Sequence, residues 1–169
     1  GGGGIVFGDL RCHDIQIRGN YIGTDASGML ARPNSQGGIS FAGDVQNNQI
    51  GGNTAAARNV ISGNGLRGIA LSRSGNIVQG NFVGVAADGV TPLGNQIEGV
   101  LLYPSAFPTG NTIGGTGAGE GNVIAHNGGD GVRVDAATIV NTRIRGNLIF
   151  SNGALGIDLA PNGITVNDD

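Results

Sequence analysis

A repeat within the chain limits the fold more than any other feature. Asn59-Val-Ile-Ser-Gly-Asn-Gly-Leu-Arg-Gly-Ile-Ala-Leu71 returns as Asn147-Leu-Ile-Phe-Ser-Asn-Gly-Ala-Leu-Gly-Ile-Asp-Leu159, identical at seven of 13 positions. Asn122-Val-Ile-Ala-His-Asn-Gly-Gly-Asp-Gly-Val-Arg-Val134 fits the same template. A second pair is Gly19-Asn-Tyr-Ile-Gly-Thr-Asp-Ala-Ser-Gly28 and Gly80-Asn-Phe-Val-Gly-Val-Ala-Ala-Asp-Gly89. A chain built this way is a solenoid, in which each unit buries its apolar face only by stacking on its neighbours.

The repeat unit contains strands and turns. The aliphatic after a glycine recurs at Ile5, Ile39, Ile69, Val100, Val132 and Ile157, in steps of 34, 30, 31, 32 and 25 residues. A second column runs through Ile17, Ile50, Val78, Ile113 and Ile144, with Val166 beginning a further coil, and a third through Ile22, Ile61, Val83, Ile124 and Ile149. Three columns, each visited once per coil, predict an all-β, right-handed parallel β-helix of about five coils and three parallel sheets, one domain over residues 1–169. In Gly-Ile-x-Leu the strand alternation sends Ile and Leu inward and x outward. The inward partners are then Phe7, Phe41, Leu71, Leu102, Val134 and Leu159, with Phe7 stacked on Phe41.

The longer coils carry about nine residues beyond the shortest step of 22, placed after the second or the third strand. The resulting loops span about Thr24–Gln36, Gly52–Arg58, Val85–Gln96 and Gly115–Gly121. Two residues before each third-column aliphatic stands an asparagine: Asn20, Asn59, Asn81, Asn122 and Asn147. Asparagine tolerates left-handed backbone angles and suits a tight corner, and its amide can bond the amide of the next coil as a ladder. The column reads as structural, not as a ligand site.

Composition agrees with many turns between short strands: 35 residues are Gly, 18 are Asn, and no 3.6-residue apolar stripe persists. Net charge is −3 with 12% charged residues, which excludes the basic patch of a nucleic-acid binder. No apolar run reaches membrane-spanning length, and no signal peptide is present. Cys12 is alone and forms no intrachain disulfide. Because Gly1–Gly4 runs straight into a strand and Asp169 follows the start of another coil, the chain reads as a fragment of a longer protein, with end-to-end association expected of open coils.

On these residues the chain resembles the right-handed parallel β-helix repeat proteins of the pectate-lyase-like superfamily. It is most similar to large uncharacterised bacterial secreted or surface proteins. The resemblance rests on Gly19-Asn-Tyr-Ile-Gly-Thr-Asp25, on Asn48-Gln-Ile-Gly-Gly52 and Asn111-Thr-Ile-Gly-Gly115, and on Gly156-Ile-Asp-Leu159 with Asn167-Asp168. It implies an extracellular or cell-surface location and leaves the activity open, because one fold hosts many functions.

Members of that superfamily include polysaccharide lyases, hydrolases and epimerases, so catalytic residues need a direct search. Hydrolysis needs paired carboxylates. Here Asn141-Thr142-Arg143 diverges where the polygalacturonase-type motif has its carboxylate, Arg143-Ile144-Arg145 matches the basic motif only loosely, and no Gly-His-Gly occurs. A lyase-like set would be Asp130, Asp135 and Asp158 with Arg133, and this acidic corner is the one place a Ca²⁺ ion would suit. The competing structural reading puts Asp130 in a turn and pairs Arg133 with Asp158 across adjacent coils on the outer face. His13 and His126 fall in different columns and form no metal site. The outward column Val6, Ser40, Ala70, Leu101, Arg133, Asp158 is too irregular for an ice-binding array.

The balance weighs against catalysis and assigns no catalytic residue, cofactor or metal ligand. The expectation is a structural or adhesive module that meets a polysaccharide or another surface partner. Its candidate contacts are Tyr103 and Phe107, from a segment rich in aromatics and prolines, together with Arg133 and Asp158.

Overall fold

The computed structural model describes residues 2–8, 12–43, 45–104 and 110–159. The chain is a parallel β-helix whose strands form three main sheets. The first sheet stacks Ile5–Phe7, Ile39–Phe41, Ile69–Leu71, Val100–Leu102, Val132–Val134 and Ile157–Leu159. The second stacks Gln16–Ile17, Gln49–Gly51, Ile77–Gln79, Thr112–Gly114 and Arg143–Arg145. The third stacks Tyr21–Ile22, Val60–Ile61, Phe82–Val83, Val123–Ala125 and Leu148–Phe150. A fourth, two-stranded sheet pairs Cys12–His13 with Val45–Gln46, which the repeat did not reveal.

Among the described residues every strand pairing within the sheets is parallel, and the register follows the sequence columns residue by residue. Ile5 faces Ile39, Ile39 faces Ile69, Val100 faces both Ile69 and Val132, and Val132 faces Ile157. The inward residues form one continuous core in which Ile50, Ile61, Ile69, Val78, Val83, Val100, Ile113, Ile124 and Val132 are wholly buried. Burying each such side chain is worth about 1.5–3 kcal/mol. Phe7 and Phe41 do meet across adjacent coils, but edge to face, with ring centroids 5.3 Å apart and planes at 74°. The positive ring edge prefers the negative face, so the stacked arrangement expected from the register gives way to a tilted one.

The corners hold more asparagine than one column. Nδ2 of Asn20 donates to Oδ1 of Asn59 at 3.0 Å, Asn59 to Asn81 at 2.8 Å, Asn81 to Asn122 at 3.0 Å and Asn122 to Asn147 at 2.8 Å. A second ladder of equal length runs Asn34, Asn64, Asn95, Asn127, Asn152, with steps of 3.0, 2.8, 2.8 and 3.0 Å. A third, at the corner before the second sheet, joins Asn48 to Asn76 and Asn76 to Asn111. Thr142 takes the asparagine's place in the next coil, and its hydroxyl is buried without a hydrogen-bond partner.

Left-handed backbone is not the ladder residues' contribution. Where the corner is tight, the residue just before the asparagine adopts it. Asn47, His126 and Ser151 have φ of 56°, 59° and 50°, ahead of Asn48, Asn127 and Asn152. The ladder asparagine is thereby free to point inward and cap buried backbone groups, as Asn59 Nδ2 does on Ile17 O at 2.8 Å.

The glycine that precedes each first-sheet strand but the last described, Gly4, Gly38, Gly68, Gly99 and Gly131, is crowded by the second ladder. A Cβ on Gly99 would lie 2.7 Å from Gly131 O, 2.7 Å from Ile124 Cγ2 and 2.8 Å from Asn127 Nδ2, and Gly68 is crowded in the same way.

The insertions lie where the sequence places them. After Ile22 and Val83 they are small hairpins closed by antiparallel bridges between Thr24 and Ala31 and between Val85 and Pro92. The two hairpins meet over the intervening short coil, where Ala87 N donates to Gly28 O at 3.0 Å and Gly63 N to Leu93 O at 2.8 Å. The insertion after Ile50 contains a short 3₁₀ turn, Ala55–Ala57, capped by Thr54. Arg58 then lies 4.2 Å above the Phe82 ring.

Candidate functional site

The first sheet's outer face carries the most varied chemistry of the described residues. Its outward column is Val6, Ser40, Ala70, Leu101, Arg133 and Asp158, in the order the alternation requires. Ser40, Ala70 and Leu101 are the floor of a half-open depression of about 350 Å³. One wall is Gln36 and Arg67, from the turns that enter the strands, and the other is Tyr103 and Asp135, from the residues that leave them. The floor crosses three consecutive coils, so the depression runs along the helix axis.

Its walls are held in place. Arg67 Nε lies 2.8 Å from Glu98 Oε2, a contact that misses the direction of a linear hydrogen bond. Glu98 is buried, whereas Arg67 keeps about a third of its side chain in solvent. The Tyr103 hydroxyl donates to Phe41 O at 2.8 Å, reaching across the strand Ile69–Leu71 that lies between. This bond commits the hydroxyl proton to the fold, leaving only the oxygen's lone pairs to a ligand, and holds the half-buried ring as a rigid wall.

Beyond the depression, Arg133 draws together the carboxylates singled out in the sequence. It faces Asp158 across adjacent coils, as the alternation requires, but only at 4.0 Å. Its hydrogen bonds go to Asp135 Oδ1, at 3.1 Å from Nε and 3.0 Å from Nη2, and Asp130 Oδ2 lies 3.9 Å from Nη1. The expected simple pair is therefore a hub of one guanidinium and three carboxylates. Asp135 wins because it stands two residues on, just past the strand's end, where two guanidinium N–H groups converge on its one oxygen. This hydrogen bond, with the negative field of Asp135 and Asp158, raises the Arg133 pKa further above its ordinary value.

The three carboxylates do different work. Asp130 Oδ1 accepts from Leu155 N at 2.9 Å and so caps the turn of the next coil, in keeping with its reading as a turn residue. Asp158 is buried, and its Oδ1 has no hydrogen-bond partner. Only Asp135 reaches the depression. Among the described residues no three His, Cys, Asp or Glu side chains form a group arranged to hold a metal ion.

Of the four candidate contacts read from the sequence, Tyr103 lines the depression while Arg133 and Asp158 lie beside it. Phe107 lies outside the described residues, as do Val166 and the Asn167-Asp168 pair. The sequence reading missed Gln36, Arg67 and Glu98. Arg67, Glu98 and Asp130 share one position, immediately before the strand glycine, and the change of residue type from coil to coil at that position is the signal that marks it.

Compared with known proteins, the chain matches no family model, no curated protein and no solved structure.

Proposed function

We propose that this chain is an extracellular β-helical module with a structural or adhesive role, of the pectate-lyase-like kind, which meets a carbohydrate or protein surface along the outer face of its first sheet. The observation that carries the reading is the axial depression, with its small floor of Ser40, Ala70 and Leu101 between Arg67 and the tethered Tyr103 ring. A fixed aromatic wall, an apolar floor and a few polar groups are the usual ingredients of a site that holds an extended polar ligand. Rigid walls also spare the ordering cost that weakens binding by mobile side chains.

A second reading, a carbohydrate-active domain, draws support from the convergence of Asp130, Asp135 and Asp158 on Arg133. Binding comes first because Arg133 engages the one carboxylate that reaches the depression. A glycosidase instead needs an acid and a base free to face the scissile bond from two sides.

A glycan array, run beside a polysaccharide-degradation assay on the same sugars, separates the two. Retention of a glycan that is lost in Arg67→Ala, with no product released, supports the binding module. Product release that disappears in Asp135→Asn supports the enzyme. Neither retention nor turnover, on glycans or on surface proteins, leaves a purely structural module. End-to-end association belongs to the same proposal, and sedimentation velocity across a wide concentration range tests it.

A further inference from the structure

Taken as the binding site proposed above, the axial depression carries a charge pattern that selects among ligands. Two charged side chains line it, Arg67 and Asp135, and each already has an opposite charge against it. Glu98 Oε2 lies 2.8 Å from Arg67 Nε, and Arg133 donates twice to Asp135 Oδ1, at 3.1 and 3.0 Å. The angle at Arg67 costs that contact its hydrogen bond but not its charge cancellation, because Coulomb attraction depends on distance. Glu98 is buried, so salt screens this pair little.

Behind these pairs the balance tips to the negative. Arg133 also has Asp130 Oδ2 at 3.9 Å and Asp158 Oδ2 at 4.0 Å. Among the described residues, the charged lining and its ion-pair partners comprise two guanidiniums and four carboxylates, and the whole chain carries −3. A uronate or sulfate entering here gives up water and finds both guanidiniums already paired. It also faces a negative field, and like charges brought together are a common way for a surface to reject a partner.

An uncharged sugar meets the opposite situation. The polar lining left to it is Ser40, Gln36 and Asp135 Oδ2, since both Arg133 bonds end on Oδ1. Hydroxyl, amide and carboxylate oxygen together offer donors and acceptors, which suits sugar hydroxyls that both give and accept. The tethered Tyr103 ring supplies an apolar wall for the C–H face of a pyranose.

We infer that the depression selects an uncharged sugar chain and turns away acidic ones, with Glu98 and the Arg133 hub setting that choice from behind the walls. The inference rests on the binding reading and sharpens it to one ligand class.

The test is calorimetric titration of the whole chain with three sets of oligosaccharides. One set is uncharged oligomers of glucose, galactose, mannose and xylose, the second is oligogalacturonate, and the third is chitosan oligosaccharides. At low ionic strength the best uncharged oligomer should bind at least about tenfold more tightly than oligogalacturonate, and high salt should narrow the gap. Glu98→Gln, which bares the Arg67 charge, should raise the affinity for oligogalacturonate relative to that oligomer by at least about threefold. Asp135→Asn, which releases Arg133, should move the ratio the same way, and being at an exposed position it carries the test if Glu98→Gln does not fold.

Tighter binding of oligogalacturonate or of chitosan oligosaccharide by the native chain would overturn the inference and still leave a glycan-binding module. A preference for uncharged sugar that neither salt nor the two substitutions move would also overturn it, because shape and not charge would then set the choice. Binding of no sugar at all overturns it too, and the module then stands or falls on a protein partner.

Discussion

The two faces of the first sheet are made by the same strands, yet only one of them repeats. Inward, Ile39, Ile69, Val100 and Val132 stand over one another and are closed to solvent. Outward, Ser40 gives way to Ala70, Leu101, Arg133 and Asp158, with no two alike. Stacking explains the difference. An inward residue touches its own copies above and below, so one shape must suit every coil. An outward residue answers to solvent or a partner and is free to change, and that is where the depression and the Arg133 hub lie.

The comparison breaks most readily at the core. Ile69→Ala, in the middle of the inward column, should destabilise the chain by about 2–5 kcal/mol in chemical denaturation. Ile5→Ala, in the half-buried first coil, should cost clearly less. Equal losses would mean that the coils do not depend on their neighbours.

A smaller loss is expected at Gly99. The Cβ of Gly99→Ala would press on backbone and on Asn127 at once, and crowding of this kind costs about 1–3 kcal/mol. A neutral result would show that the glycine before each strand is there for its turn and not for the ladder behind it.

Much of this was legible because inward positions repeat strictly. Gly-Ile-x-Leu marked the strand and its register, and all three columns pair as read among the described residues. Its inward residues are buried from Ile39 to Val134, but in Ile157–Leu159 the outer two are 43% and 49% exposed while Asp158 between them is buried. The second ladder was missed although its signal is regular: Asn34, Asn64, Asn95, Asn127 and Asn152 each stand four residues before a strand glycine. Insertions just before Asn34 and Asn95 hide that spacing when coils are aligned from the third column. The depression was less legible, since outward residues share no pattern, and the turn position of Arg67 and Glu98 is defined only once coils are stacked. Tyr103 was noticed for its aromatic ring, but its tie to Phe41 joins residues 62 apart in sequence and belongs to the fold alone.

The smallest effect concerns pH and sharpens the contrast between stack and insertions. In the hairpins, the Ser27 hydroxyl donates to Asp25 at 2.7 Å and the Thr91 hydroxyl to Asp88 at 2.6 Å. These bonds, with backbone N–H groups beside them, lower both carboxyl pKa values below the ordinary aspartate value. A lowered folded-state pKa contributes stability that is present above the unfolded value and is lost as pH falls through the folded one. Acid should therefore loosen the two hairpins as Asp25 and Asp88 take up protons. NMR titration should place both carboxyls below a free aspartate, and Ser27→Ala should move Asp25 back up. A titration of Asp25 that ignores Ser27→Ala would remove the hydroxyl as the cause.

One strand holds both faces side by side, in Ala70 and Leu71. Leu71 points into the core and is 1% exposed, whereas Ala70, 9% exposed, points the other way and forms the floor of the depression. Chemical denaturation of Leu71→Ala beside Ala70→Lys compares them directly. Leu71→Ala should lose about 2–5 kcal/mol, as a large-to-small change in a packed core does. Ala70→Lys should cost clearly less, about 1 kcal/mol, because a lysine there can run its stem along the depression and carry its charge out to water. If Ala70→Lys unfolds the chain as severely as Leu71→Ala, the outer face is core, and the separation of a repeating interior from a variable outer face is wrong.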